Sequence, residues 1–152
     1  MTKTIRIGCA SGFYGDSQLA ARQLVDAGNI DYLVFDYLAE ITMAILAKAR
    51  SRDDNLGYAV DFVTVAMKDV LADCARKGIK VVANAGGVNV PACIAALEAL
   101  CQQQGLNLKI GGVYGDNLIA RDDLPWDGMT ETQTGEAMPD RPASVNAYLG
   151  AR

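Results

Sequence analysis

Residues 4–10 read TIRIGCA, residues 16–27 read DSQLAARQLVDA and residues 32–37 read YLVFDY. The first and third are short runs rich in β-branched and aromatic residues, whereas the second carries apolar residues three and four positions apart. That order is strand, helix, strand, and a helical crossover of this length joins parallel neighbours. The alternation continues outward. Residues 79–84 (IKVVAN) and 108–114 (LKIGGVY) read as a third and a fourth strand, and residues 144–148 as a fifth. Residues 41–50, 58–77 and 91–104 carry the helical period between them. Within 58–77, Phe62, Val63, Ala66, Met67, Val70, Leu71 and Cys74 form one stripe, predicted to pack in the core. The punctuation agrees: Asp16 or Ser17 is placed to cap the first helix, Gly28, Gly78 and Gly105 follow three helices, and Pro91 opens another. The expected fold class is therefore α/β, a doubly wound, mostly parallel sheet with helices on both faces in a Rossmann-like three-layer arrangement.

A chain of 152 residues that is 51% hydrophobic suits a single domain over 1–152 that needs neither disulfide nor metal to fold. Residues 117–142 show no period and read as a long loop or lid, with Trp126 as the only tryptophan. A net charge of −4 with scattered basic residues speaks against nucleic acid or an anionic membrane as partner. No apolar run reaches the length of a membrane span, and residues 1–6 lead into a strand without the zones of a signal peptide, so a cytoplasmic location is expected. Cys9, Cys74, Cys93 and Cys101 contain no Cys-x-x-Cys pair, and histidine is absent. A zinc site is not predicted, the cysteines are expected to be reduced, and no Ser-His or Cys-His nucleophile is available within the chain.

The polar and glycine residues follow strand ends. Ser11, Gly12, Gly15 and Asp16 come after the first strand, Asp36 and Glu40 at the second, Asn84, Gly86, Gly87 and Asn89 after the third, and Gly115 and Asp116 after the fourth. In a parallel sheet all four segments project from the carboxyl edge, where such sheets bind ligands and helix N-termini offer free N–H groups. Asp16, Asp36 and Glu40 are the candidates for proton transfer, and the others for ligand binding. Each has a plainer role: the glycines serve turns, Asp16 caps a helix, Asp116 forms an Asx-turn, and Asn84 ties one strand end to the next.

Four readings of this edge stay open. The first is a dinucleotide site, in which Gly8, Gly12 and Gly15 form G-x-x-x-G-x-x-G with Asp36 downstream; the required G-x-G is missing, and Asp16 sets negative charge where pyrophosphate would lie. The second is a Mg²⁺ site drawing on Asp16, Asp36, Glu40 and Asp116, which no spacing demands. The third is a neutral polar pocket, in which Asn84, Asn89 and backbone amides bind a carboxylate or thioester oxygen and a carboxylate moves a proton. The fourth is a docking surface on a non-catalytic subunit or scaffold. No resident cofactor is predicted.

The runs IGCASGFYGD (7–16), DYLVFDYLAEITM (31–43) and NAGGVN (84–89), together with VYGD (113–116) and SVNAYLGA (144–151), closely resemble the acyclic terpene utilisation family (AtuA) across nearly the whole chain. Val90 intervenes before Pro91, where the family usually places proline directly after the NAGGVN block. The family also normally continues past the SVNAYLGA block into a second half, so this chain is expected to correspond to the N-terminal portion, as a truncated or split subunit without a second domain. The resemblance implies a role in breaking down acyclic terpenoids or branched acids as coenzyme A thioesters, by hydratase, lyase or acyl-thioester chemistry as part of a larger assembly. The implied partners are a small-molecule substrate and either a second subunit or another copy of the chain.

Overall fold

The computed structural model of the chain describes residues 3–124 and 126–148. Pro125 and residues 149–152, which include the last four residues of the 144–151 block apart from Tyr148, lie outside the described residues. The chain separates into two compact units, Met1–Val113 and Tyr114–Arg152.

The first unit is α/β. Strands β1 (Ile7–Ser11), β2 (Tyr32–Phe35) and β3 (Lys80–Ala83) form a parallel sheet in the order β1-β2-β3. The register runs Ile7 to Tyr32 to Lys80 and Cys9 to Val34 to Val82. The helices are α1 (Ala20–Ala27), α2 (Glu40–Arg50), α3 (Lys68–Lys77), entered through a π-helical segment Phe62–Met67, and α4 (Val90–Gln103). Gly28 and Gly78 take the left-handed conformation that ends α1 and α3, and Pro91 lies in the first turn of α4. Ser17, rather than Asp16, serves the start of α1: its hydroxyl accepts from the amides of Leu19 (3.2 Å) and Ala20 (3.1 Å).

The predicted stripe is buried along its length, from Phe62 to Cys74. Its members recur every four residues, and on an α-helix that period drifts by about 40° per step. The π-helical segment at its start is a wider turn, which slows the drift and keeps Phe62, Val63, Ala66 and Met67 on the core side.

Along each strand one face is covered and the other is open. Gly8, Leu33 and Phe35 are buried, whereas Ile7, Cys9, Lys80 and Val82 are exposed and Tyr32 and Val34 half-buried. Helix α1 packs on β1 and β2, and α3 on β3. The strand order explains the asymmetry. Each crossover steps the same way across the sheet, and right-handed crossovers that step the same way lay their helices on the same face. Helices fall on both faces only where the order reverses, and β1-β2-β3 contains no reversal. Arg22 of α1 fastens that helix to α3 by ion pairs with Asp69 (2.9 Å) and Asp73 (2.7 Å), and holds the Asp73 carboxyl below its usual range.

Two predicted strands are corrected. Residues 108–114 form no strand: Leu108, Val113 and Tyr114 are exposed, and no ladder bond joins the segment to β3. The Gly111-Gly112 pair offers no side chains to pack, and glycine loses the most backbone entropy on ordering, so an extended run with this centre is weak without a committed neighbour. Residues 144–148 contribute only an isolated antiparallel bridge, Asn146 to Asn117. In the second unit a further isolated bridge joins Thr130 to Ala137, and Trp126 donates its indole N–H to the Arg121 carbonyl (2.8 Å), pinning its own loop. Among the described residues no helix is long and apolar enough to cross a membrane.

Cys74, Cys93 and Cys101 are buried as predicted, and Cys9 is exposed. Burial pushes the Cys93 thiol up to about 11 and raises Cys74 and Cys101 as well, so all three stay protonated at neutral pH. A thiol reagent added to the native protein should label Cys9 within minutes and reach the other three only on unfolding. Rapid native labelling of Cys74 or Cys93, read by peptide mass, contradicts this packing.

Candidate functional site

The site is built at the carboxyl edge of the sheet, where the ends of β1, β2 and β3 meet. The Asp36 amide donates to the Ser11 carbonyl (3.2 Å) and the Asn84 amide to the Phe35 carbonyl (3.4 Å), which joins three of the four predicted segments. The fourth lies in the second unit, where Gly115 has φ +124° and the Asp116 carboxylate accepts from the Asn146 side chain (3.2 Å).

Ser11 is turned inward by an irregularity in β1. The register with β2 shifts between Cys9 and Ser11, so Ala10 and Ser11 both become buried instead of alternating. The Ser11 hydroxyl donates to the Asp36 carbonyl oxygen (3.4 Å). Asn84 clamps the second strand end from the other side: its carbonyl oxygen accepts from the Tyr37 amide (2.7 Å), and its amide donates to the Asp36 carboxylate (2.6 Å). Asp36 is exposed, and this bond fixes the direction of its carboxylate.

The remaining candidates are occupied in ways that sequence spacing does not reveal. The Asp16 carboxylate accepts from the Gly12 amide (2.9 Å), closing the loop after β1 on itself. An amide that a pyrophosphate would use is thereby already bonded to a carboxylate. Gly15 has φ +84°, a turn conformation. Glu40 is exposed in the first turn of α2, where its charge complements the helix dipole. Gly86 and Gly87 are needed for close packing: a Cβ on Gly86 would meet Val90 Cγ2 at 2.7 Å, and one on Gly87 would meet the Gly57 carbonyl oxygen at 2.6 Å. The Gly87 amide also donates to the Asn84 carbonyl (3.4 Å).

Asn89 is buried, and its side chain is fully used. It caps α4 by accepting from Ala92 N (3.4 Å) and donates to the carbonyls of Asp54 (2.8 Å) and Leu56 (2.7 Å). Replacing Asn89 by alanine should cost about 2–3 kcal/mol, because the cap is lost and two carbonyls are left without a partner. Urea unfolding of the variant reads the loss; an unchanged midpoint refutes the structural assignment.

Sequence reading passes over one carboxyl at this edge. Asp61 stands in the apolar run 58–63 (YAVDFV), hidden because it falls within a helical period. The available signal is a charged residue inside an apolar run. Asp61 is half-buried, and burial raises its carboxyl above the ordinary range. Its charge in turn raises the phenols of Tyr14 and Tyr37, adding to the larger effect of their burial. The rings of Phe35, Phe62, Tyr37 and Tyr14 interlock, with Phe35 to Phe62 at 5.2 Å, Phe62 to Tyr37 at 6.1 Å and Tyr37 to Tyr14 at 6.1 Å. The edge thus combines an exposed oriented carboxylate, a buried hydroxyl, two protonated phenols and a desolvated carboxyl beside an aromatic wall. Groups of these kinds suit a ligand with an apolar body and a polarisable oxygen. Among the described residues no three His, Cys, Asp or Glu side chains gather closely enough to hold a metal ion.

Compared with known proteins, residues 5–152 match the family model described as acyclic terpene utilisation family protein AtuA. No curated protein sequence and no solved structure matches the chain.

Proposed function

The chain belongs to the acyclic terpene utilisation family, and from that premise we propose that it acts on acyclic terpenoids or related branched acids carried as coenzyme A thioesters. The observation that carries this reading is the family match over residues 5–152. The edge chemistry supports it. The apolar acyl chain would lie against the half-buried Tyr14 ring, with the thioester oxygen facing the exposed polar strand ends at Asp36 and Asn84. Asp16 and Glu40 stand at the rim, Asp16 holding the Gly12 loop in shape. The reaction class is hydration, elimination or acyl transfer, each of which requires a polarised thioester carbonyl and a proton moved next to it. A Mg²⁺ ion would have to be held by Asp16 or Asp36 with water and substrate completing its shell; Asp116 is bonded to Asn146 instead.

Calorimetric titration with a branched acyl coenzyme A, with free coenzyme A, and with Mg²⁺ tests the proposal. Saturable binding of the thioester, tighter than free coenzyme A and weakened at least about tenfold in Asp36→Ala, is expected. Equal affinity for thioester and free coenzyme A, or none for either, removes the acyl-binding reading. Saturable Mg²⁺ binding lost in Asp16→Asn and Asp36→Asn favours the metal site over the neutral pocket.

The open face of the sheet favours a second reading, that the chain also works as a subunit. Ile7, Cys9, Val34 and Val82 lie there in adjacent register, and parallel sheets normally bury both faces. The occupant proposed is a second copy. Lys80 stands at the amino end of this face and Asp36 at its carboxyl end, so a two-fold antiparallel stack brings opposite charges together. Such stacking buries the open face of both sheets. Sedimentation of the isolated chain should give a dimer that dissociates in Val82→Lys; a monomer at all concentrations overturns it.

A further inference from the structure

We propose that α2 carries a self-association surface, through which two copies of the chain pair antiparallel about a two-fold axis near Met43 and Ala44, so that Glu40 of each lies opposite Lys48 of the other. This surface is separate from the open face of the sheet and does not depend on the thioester reading.

Helix α2 is apolar on both sides. Thr42, Met43, Leu46 and Ala47 are buried, and the last three pack with Val88. At about 100° per residue, Ile41, Ala44, Ile45 and Lys48 fall within an arc of roughly 100° on the opposite side. Ile41 is 72% exposed and Ile45 51%, and Ala44 and Lys48 are exposed as well. The helices that line the sheet differ. α1 turns Gln23 and Asp26 to solvent, and α3 turns Lys68, Asp69, Arg76 and Lys77. A surface helix ordinarily keeps its outer side polar, and one that is apolar on both sides is built for two packing partners. Helix propensity gives no reason for the two isoleucines, because a β-branched side chain loses rotamer freedom in a helix.

The charges on this side name the occupant. Glu40 in the first turn and Lys48 in the last stand at the two ends of the patch, about 12 Å apart along the axis. Among the described residues neither forms an ion pair, whereas Arg50 is already bonded to the Val88 carbonyl. Met43 is the midpoint between Ile41 and Ile45, and Ala44 the midpoint between Glu40 and Lys48. An antiparallel copy of the same helix centred there sets Ile41 against Ile45 and Glu40 against Lys48, in both directions at once. A parallel copy would instead set Glu40 on Glu40 and Lys48 on Lys48. The contact is small. A pair of short helices buries less than about 1,200 Å² in total, the low end for specific interfaces, so pairing is expected only at roughly 0.1–1 mM chain.

Sedimentation equilibrium of the Val82→Lys chain, which lacks the sheet stack, reads this contact alone. A monomer–dimer equilibrium with a Kd of roughly 0.1–1 mM is expected, and adding Ile45→Lys should weaken it at least about tenfold while leaving the thermal unfolding midpoint unchanged. Glu40→Lys and Lys48→Glu, each in the Val82→Lys chain, should weaken it by a similar factor, since each sets like charges opposite one another. An equal mixture of those two should restore association to within about threefold, because the mixed pair matches charges at both ends. A Val82→Lys chain that stays monomeric at about 1 mM overturns the proposal. So does a dimer that survives Ile45→Lys, or a mixture that associates no better than its components. A wild-type chain that is monomeric at micromolar concentration removes the sheet stack alone, and the α2 contact still stands or falls with the Val82→Lys chain.

Discussion

Phe62→Ala should lower the stability of the protein by about 3–5 kcal/mol, the usual cost of truncating a buried phenylalanine to alanine. The Phe62 side chain is buried at the start of the π-helical segment and meets Phe35 at 5.2 Å and Tyr37 at 6.1 Å, both edge to face. Such ring pairs contribute about 0.5–1.5 kcal/mol beyond area burial, which places the loss toward the upper part of that range. For a chain of this size it corresponds to roughly 10 °C in melting temperature. The cavity also removes packing that holds Tyr37 against Tyr14 at the strand ends, so loss of fold stability and loss of acyl binding should appear together. Phe62→Leu retains much of the volume and should recover more than half of the stability. Thermal and urea unfolding of both variants provide the check, and a loss below about 1 kcal/mol in Phe62→Ala refutes the core placement.

Gly87→Ala should be nearly as damaging, for a different reason. Gly87 has φ +52°, and a Cβ there would lie 2.5 Å from Leu46 Cδ1 and 2.6 Å from the Gly57 carbonyl oxygen. The side chain of Leu46 can swing away, but the Gly57 carbonyl is backbone and accepts from the Val88 amide (2.9 Å), so relieving the clash breaks a hydrogen bond. Left-handed backbone costs an L-residue roughly 1–2 kcal/mol and overpacking typically 1–3 kcal/mol, giving about 2–5 kcal/mol together. Gly78→Ala is the control. It shares the positive φ, at +72°, but a Cβ there has nothing within 4 Å, so only the roughly 1–2 kcal/mol of backbone strain should be lost. Equal unfolding midpoints for the two variants would show that close packing at Gly87 contributes nothing.

These glycines separate two kinds of information. Gly78 ends α3 and was legible as a stop signal because the requirement is local, a left-handed residue after a helix. Gly86 and Gly87 read from the sequence as amide donors to a ligand, whereas their surroundings in the fold are Val90, Leu46 and Gly57. Asn89 differs from Asn84 in the same way. Both are asparagines after the third strand, yet one is consumed by two carbonyls of the 54–56 loop and the other orients Asp36 from 48 residues away. Nothing in the spacing distinguishes them, because the partners are remote in sequence.

The sequence by itself determined the three paired strands, the helices between them, their glycine and proline boundaries and the buried stripe from Phe62 to Cys74, since each follows from a period or a backbone preference expressed over a few residues. It also carried the family, through long runs without gaps. Tertiary structure alone decided that residues 108–114 form no strand, because a strand exists only when a neighbour pairs with it. It alone decided that one face of the sheet is open, which follows from the strand order, and that Ser11 turns inward at an irregularity in β1. And it alone brought the rings of Tyr14, Tyr37 and Phe62 together, since residues from separate elements become neighbours only when the crossovers fold back over the sheet.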